Sequence, residues 1–317
     1  MSKVLVCGSI AYDHIMEFPG FFKEQILPDR IDSLNVSFLV NSLKKMRGGT
    51  APNIAYNLAL LGLEPFVLGT VGQDFNEYRE WLNKNGVDTR YVRVLDDDYT
   101  ASCFITTDMN NNQITGFYPG AMKRDVDITL KGVDLNGISL VIIAPTEPEA
   151  MIKWAVECQE LGVDYLFDAG MQIPRLSGHD LSKGIMGAKI AVFNEYEADL
   201  MQKKTGLLKN EILNSVEILV ETLGEKGSIL RTWDEKVFVP AAKPVKVEDP
   251  TGAGDAYRAG LLKGYFEGAS LEEMGRLANI SAVYAVEHKG GQEHRYGIDD
   301  FYTRYNQNYG VEKVFMK

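Results

Sequence analysis

Three cysteines in 317 residues, Cys7, Cys103 and Cys158, are too few and too scattered for a disulfide framework. No CxxC pair occurs, and a reducing cytoplasm suits such a chain. Four histidines, His14, His179, His288 and His294, show no metal-ligand spacing, so an ordinary polar or surface role is expected for each. Long apolar runs are missing as well. The longest, around Leu140-Val141-Ile142-Ile143-Ala144, falls far short of a membrane span, and Val4-Leu5-Val6 is too short for a signal-peptide core. Positive charge is in deficit: 33 Lys and Arg against 44 Asp and Glu give −11. That balance argues against nucleic acid and anionic membranes as partners, because both need a basic surface. A small anionic ligand needs only a local site and is not excluded. Three signatures are also absent. Gly8-Ser9-Ile10-Ala11 follows the first strand-like run without a GxGxxG pattern, no P-loop of the GxxxxGKS or GxxxxGKT type occurs, and no GxSxG elbow is present.

What is present reads as a globular α/β chain. Hydrophobic residues make up 45%, enough at this length for a large core without staples. At about 150 residues per domain, the length suggests one large domain with a smaller one. Val4–Cys7, Pro65–Leu68, Leu140–Ala144, Tyr165–Asp168, Ile190–Phe193 and Ile218–Thr222 are short, β-branched and aromatic runs that predict buried strands. Helix-period segments lie between them, such as Ile54–Leu61 before Gly62 and Ala150–Leu161 before Gly162. This alternation predicts a doubly wound, mostly parallel sheet flanked by helices, with ligands beyond the carboxyl ends of its strands. Two stretches break the rhythm. Ile31–Val40 alternates, and so do Thr100–Thr107 and Gln113–Tyr118, joined by the turn-forming Asp108-Met109-Asn110-Asn111-Asn112. These predict a small β-sheet lid inserted into the larger domain. The expected boundaries are 1–11, 46–97 and 120–317 for the large domain, and 12–45 and 98–119 for the lid.

The strongest chemical feature is Asp249-Pro250-Thr251-Gly252-Ala253-Gly254-Asp255. Gly252 and Gly254 leave backbone N–H groups bare at a helix start, where an anion is favoured. Asp255 in the first turn can take a proton from an alcohol. A carboxylate beside an anion hole is what phosphoryl transfer to a hydroxyl needs. A Gly-rich turn with an acidic helix start is the plain alternative. Ala256, Ala259 and Gly260 line one face of that helix and predict close packing on a sheet. Gly48-Gly49-Thr50-Ala51-Pro52-Asn53 opens another helix, and Asn53 falls on its apolar side. A buried amide there reads hydroxyls or serves as a satisfied core residue. Asn194-Glu195-Tyr196-Glu197 sets acids at a strand end, suited to a hydrated Mg²⁺ or to an ordinary helix start. Thr222-Leu223-Gly224-Glu225-Lys226-Gly227 suits a nucleotide edge or a hairpin turn.

In this order and spacing the motifs resemble the ribokinase-like (PfkB) family of carbohydrate and nucleoside kinases over essentially the whole chain. The matching segments are Gly48–Asn53, Gly69-Thr70-Val71-Gly72-Gln73-Asp74 and Gly252–Asp255. Gly8–His14, Phe117–Met122 and Asp255–Gly260 look most like its bacterial adenosine-kinase branch. The resemblance implies ATP as phosphoryl donor with Mg²⁺, and leaves a need for K⁺ open. It implies Asp255 as base for a nucleoside 5′-hydroxyl, with Gly252, Ala253 and Gly254 as the anion hole. Asp13, Gly49 and Asn53 would hold ribose hydroxyls, and Ser9 and Ser37 would line the nucleoside site. Phe117 would stack on the base, with Gln172 and Arg175 nearby. Asn194, Thr222, Gly224, Gly227 and Asn279 would join Gly252 and Gly254 around ATP, and Glu197 would act on Mg²⁺ through water. A homodimer through the lid is a further expectation.

A sugar kinase of the same family and a nucleotide-binding protein without activity are the competing readings. Phe38, Phe104, Phe117 and Tyr118 favour a planar base over a bare sugar. Arg258, one turn after Asp255, is either an acceptor clamp or a surface ion-pair partner. The second is favoured, because single arginines on helices mostly sit solvated.

Overall fold

The computed structural model describes residues 2–26 and 32–310. Its strands are β1 (Lys3–Cys7), β2 (Ala11–Glu17), β3 (Ser42–Gly48), β4 (Glu64–Gly72), β5 (Asp88–Leu95), β6 (Ala101–Thr107), β7 (Gln113–Tyr118), β8 (Ile138–Ile143), β9 (Tyr165–Phe167), β10 (Ala188–Asn194), β11 (Val216–Thr222), β12 (Gly227–Arg231) and β13 (Lys236–Pro240). The helices are α1 (Phe22–Gln25), α2 (Thr50–Leu60), α3 (Asn76–Lys84), α4 (Pro148–Leu161), α5 (Gly178–Ile185), α6 (Glu195–Thr205), α7 (Lys209–Ile212), α8 (Ala253–Phe266), α9 (Leu271–Val286) and α10 (Ile298–Tyr309).

Nine strands form one sheet in the order β13-β12-β11-β10-β9-β8-β1-β4-β5. Pairing is parallel from β5 through β11, and β12 and β13 add an antiparallel edge. Alternation along the strands splits the core into two layers. Val4, Val6, Leu140 and Ile142 pack on the side of α2, α8 and α9. Leu5, Cys7, Val141 and Ile143 pack on the side of α4 and α5. Both faces of a parallel sheet are thus covered, which is why its strands read as unbroken apolar runs.

The smaller sheet runs β3-β2-β6-β7. The hairpin Ala101–Tyr118 stands where alternation placed it, and Asp108 secures its turn by accepting from the backbone of Asn110 and Asn112. The strand expected at Ile31–Val40 is a correction. Residues 34–40 form no strand, and Ile31 lies outside the described residues, as do 27–30 of the expected lid and 311–317 of the expected large domain. Phe38 instead packs at a tilt against the rings of Phe18 and Phe22, while β2 and β3 supply the strands.

A second correction concerns α8. Gly260 meets a helix and not a sheet. A methyl added at Gly260 would come within 2.6 Å of the Leu277 carbonyl oxygen on α9. Gly260 therefore lets the two helix backbones touch and fixes the position of the α8 N-terminus.

Candidate active site

A cleft of about 670 Å³ opens beyond the carboxyl ends of β1 and β8, where the strand order reverses. Ser9 follows β1, Pro145 follows β8, and both line it. Thr50 Oγ1 donates to the Pro145 carbonyl at 2.9 Å, so its contact with Ser9 Oγ at 3.1 Å has Ser9 as donor. Ser9 Oγ also accepts from the Thr50 N–H. Ser9 thereby stitches the start of α2 to two strand ends.

That stitch sets Asn53, one turn into α2. Asn53 Nδ2 donates to Asp255 Oδ2 at 2.8 Å. The amide's direction is fixed from behind. Tyr78 donates its hydroxyl proton to the Gly48 carbonyl, and Gln292 Nε2 donates to Tyr78 Oη and to Asn53 Oδ1. With Oδ1 occupied as acceptor, Nδ2 faces Asp255 and keeps a second proton for the cleft. Tyr78 and Gln292 carried no motif signal in the sequence.

Asp255 sits in the first turn of α8, at the floor of the cleft. Burial pushes its carboxyl up to about 7, and Asp168 adds to the rise, while Arg258 and the Asn53 bond oppose it. Gly252 caps α8 at φ +78, and a Cβ there would stand 2.6 Å from Gly291 Cα. Only glycine fits without a shift; the Ala253 N–H donates to the Pro250 carbonyl, and Gly252 and Gly254 on either side of it line the cleft.

Arg258 is not on the surface. It is 8% exposed, lines the same floor and forms an ion pair with Asp168, the residue just past β9. The surface reading is therefore wrong in place, though right about pairing. Asp168 itself closed one of the strand-like runs, a position where ligands gather in this architecture.

Asp13 of β2, with Cys103 and Phe117 of the smaller sheet, forms the opposite wall. Burial, and then the charge of Asp249, push Asp13 up to about 6. Phe117 is 53% exposed and its ring is free to receive a planar group. Phe104 faces away and stacks on His14. Tyr118 donates to Asp98 outside the cleft. Of the four aromatics expected for the base, only Phe117 lines it. Gln172 and Arg175 line the third side, with Arg175 donating to Gln172 Oε1 and Glu147. Gly49 lines the cleft as expected, whereas Ser37 is exposed and does not.

A second cavity of about 370 Å³ meets the first at Gly254. Thr222, Gly224, Gly227, Ala253 and Asn279 line it beside the apolar Val247, Ala282, Val283 and Val286. The Thr222–Gly227 segment is a hairpin turn between β11 and β12, and Thr222, Gly224 and Gly227 also line this cavity. Asn194 does not line this cavity. It caps α6, exchanging bonds with Glu197 in a capping box.

For the implied Mg²⁺, no group of three or more His, Cys, Asp or Glu is placed to hold a metal ion directly among the described residues. A hydrated Mg²⁺ on substrate phosphates asks for only one or two carboxylates. Glu197 fits that demand. It lines the cleft near Asp168, one oxygen is engaged by Asn194, and burial followed by Asp168 raises its carboxyl.

The strand order, the cleft at the reversal point and the helix start at Gly252 define the ribokinase-like α/β fold. The model of the pfkB family of carbohydrate kinases matches residues 1–295, and the chain belongs to that family. It is similar to the nucleoside kinase of Methanocaldococcus jannaschii, 33% identical over 297 residues that cover 92% of this chain and 93% of that one. The structure of the Burkholderia thailandensis nucleoside kinase in complex with inosine aligns with a TM-score of 0.86 at 38% identity, covering 97% of this chain and 98% of that one. The same kinase has been solved in complex with ADP-inosine. The ribokinase of Arabidopsis thaliana complexed with ribose and ATP shares the fold, with a TM-score of 0.77 at 20% identity over 96% of this chain and 99% of that one. No helix among the described residues is long and apolar enough to cross a membrane.

Proposed function

We propose that this chain is an ATP-dependent nucleoside kinase whose acceptor is adenosine, giving AMP and ADP. The observation that carries the reading is Asp255: a half-buried carboxylate, held by Asn53, at the point where an acceptor-sized cleft meets a second cavity across Gly254. The Burkholderia relative holding inosine supports a purine nucleoside as acceptor.

In this account Asp255 takes the proton of the 5′-hydroxyl as that oxygen bonds the γ-phosphorus. The bond from the γ-phosphorus to the β,γ-bridging oxygen breaks, and ADP leaves with the electron pair. N–H groups of Gly252, Ala253 and Gly254 offset charge on the transferring group. Asp13, Gly49 and Asn53 hold the ribose hydroxyls, and Phe117 stacks on the base. The nucleotide lies along Thr222, Gly224, Gly227 and Asn279. Mg²⁺, reached by Glu197 through water, neutralises phosphate charge when bound.

An acceptor panel with MgATP, with and without K⁺, and coupled ADP detection tests the reading. Turnover of adenosine, and none of ribose or fructose, is expected. The reverse ranking makes the protein a sugar kinase. Phe117→Ala raises KM for adenosine about tenfold with kcat little changed, since stacking on a base is worth about 1–3 kcal/mol. An unchanged KM removes Phe117 from the site.

The smaller sheet acts as the lid in this reading, and the described domain boundaries follow from it. Closing it excludes water from the transferring phosphoryl group. Hydrogen exchange over residues 100–118 slows when nucleoside binds, and no change ends the lid assignment. A homodimer through this sheet belongs to the same reading, because Leu43, Phe104 and Ile114 are exposed on it. Sedimentation as a monomer ends that part. Three free cysteines suit the reducing cytoplasm in which such an enzyme would work.

A further inference from the structure

Three carboxylates line one cleft floor, Asp255 on α8, Asp168 after β9 and Glu197 on α6, and Arg258 is the cation set among them. Its guanidinium is tied to Asp168, and its Nη1 lies so close to Gly254 that a methyl added there would meet it at 2.8 Å. Gly254 is the residue just before Asp255 and the meeting point of the two cavities. Asp168 follows β9 and Arg258 lies one turn past Asp255, so the pair ties the end of β9 to α8.

We propose that Arg258, clamped by Asp168 and set beside Gly254, is a positioning residue that keeps the Asp255 carboxylate ionised for the acceptor hydroxyl. The inference rests on the reading of Asp255 as the base. The groups around Asp255 make the electrostatics plain. Asn53 on α2 donates to it, and Asp168, Glu197, Asp13 on β2 and Asp249 before α8 are the acids that line or adjoin the cleft. Burial and Asp168 both disfavour the ionised form, and Arg258 opposes them. Without it, Arg175, itself paired with Glu147, is the one cation lining the cleft among the described residues. Arginine suits the role because it stays charged when buried.

The test is the pH profile of kcat/KM with whichever acceptor the panel shows to be turned over. Activity needs ionised Asp255, so it falls as pH drops through the carboxyl's value near 7. Arg258→Gln moves that acidic limb up by about one unit or more, and Asp168→Asn moves it down, since opposite charges shift a neighbour by about 1–3 units. Arg258→Lys, which keeps the charge, moves it least. Opposite movements are not what a loss of packing produces, because that lowers the plateau at every pH. Limbs that stay put while the plateau falls overturn the proposal and make Arg258 a direct contact of the phosphoryl group or a structural residue. Should Arg258→Gln fail to fold, Asp168→Asn decides alone: a limb that rises or stays still contradicts the proposal. If the wild type turns over no acceptor, the function is wrong, and the Asp255 carboxyl titration followed by ¹³C NMR in the same variants still orders them. The order Asp168→Asn, wild type, Arg258→Gln, from low to high, is expected, and any other order overturns it.

Discussion

Asp255→Asn lowers kcat for nucleoside phosphorylation by about a thousandfold and leaves KM for both substrates within a few-fold, the span expected when a positioned general base is lost. The substitution keeps the shape of the side chain. Its new amide oxygen still accepts from Asn53 Nδ2, so the 2.8 Å bond that orients the group survives. What disappears is the capacity to take the hydroxyl proton. The variant is also more stable than the wild type at pH 8. Asp255 is raised from an ordinary 3.8 to about 7 by burial, so the folded state binds its proton more tightly than the unfolded chain does. Ionising it above that range costs folding free energy, and the amide removes the cost. A variant that gains melting temperature at pH 8 while losing turnover marks a strained functional group. One that loses both marks a structural one. Steady-state kinetics beside a thermal scan read the two directly.

Gly252→Val has the second largest effect and acts on the other half of the site. At φ +78 a β-branched residue is held in the left-handed region, and its Cβ meets Gly291 Cα at 2.6 Å. The turn must shift, and the N–H groups at the start of α8 shift with it. Loss of one aligned donor costs about 10²–10³ in kcat. Turnover therefore falls by at least about a hundredfold, with the α8–α9 packing intact because Gly260 is untouched. KM for the nucleoside changes little, since Asp13, Phe117 and Gln172 lie on other walls of the cleft. Unchanged kcat in a folded variant removes this turn from the transfer step.

The inner parallel strands were legible because a strand covered on both faces shows an unbroken apolar run, whereas the parallel edge strand β5, with exposed residues along it, was not read. Val4–Cys7 and Leu140–Ala144 are such runs, and their residues divide between the two core layers. The smaller sheet was half legible. Its β6–β7 hairpin has a turn cluster that punctuates it, whereas β3 reads Ser-Leu-Lys-Lys-Met-Arg-Gly with only Gly48 buried, so no alternating burial pattern was there to find. The alternation at Leu34–Val40 pointed instead to an aromatic contact at Phe38. Strands β12 and β13 were missed as five-residue additions at an antiparallel edge, β12 mostly buried and β13 mostly exposed.

At the site, the residues that sit in local motifs could be read: Asn53 after two glycines, Asp255 after Gly252-Ala253-Gly254. Those whose partners lie far along the chain could not. Arg258 is buried only because Asp168, 90 positions earlier by numbering (258 − 168), closes the same floor. Gln292 reaches Asn53 across an even longer separation, and nothing in its neighbours marks it. Distance in sequence, and not subtlety of chemistry, set the limit.

The most direct test of the central claim is ³¹P NMR of the wild-type protein with MgATP and adenosine. The account predicts that the γ-phosphate signal of ATP is replaced, one for one, by that of adenosine 5′-monophosphate together with ADP, and that Asp255→Asn abolishes the exchange on the same time scale. Appearance of inorganic phosphate without a nucleoside monophosphate, or transfer to ribose under conditions that leave adenosine untouched, contradicts it.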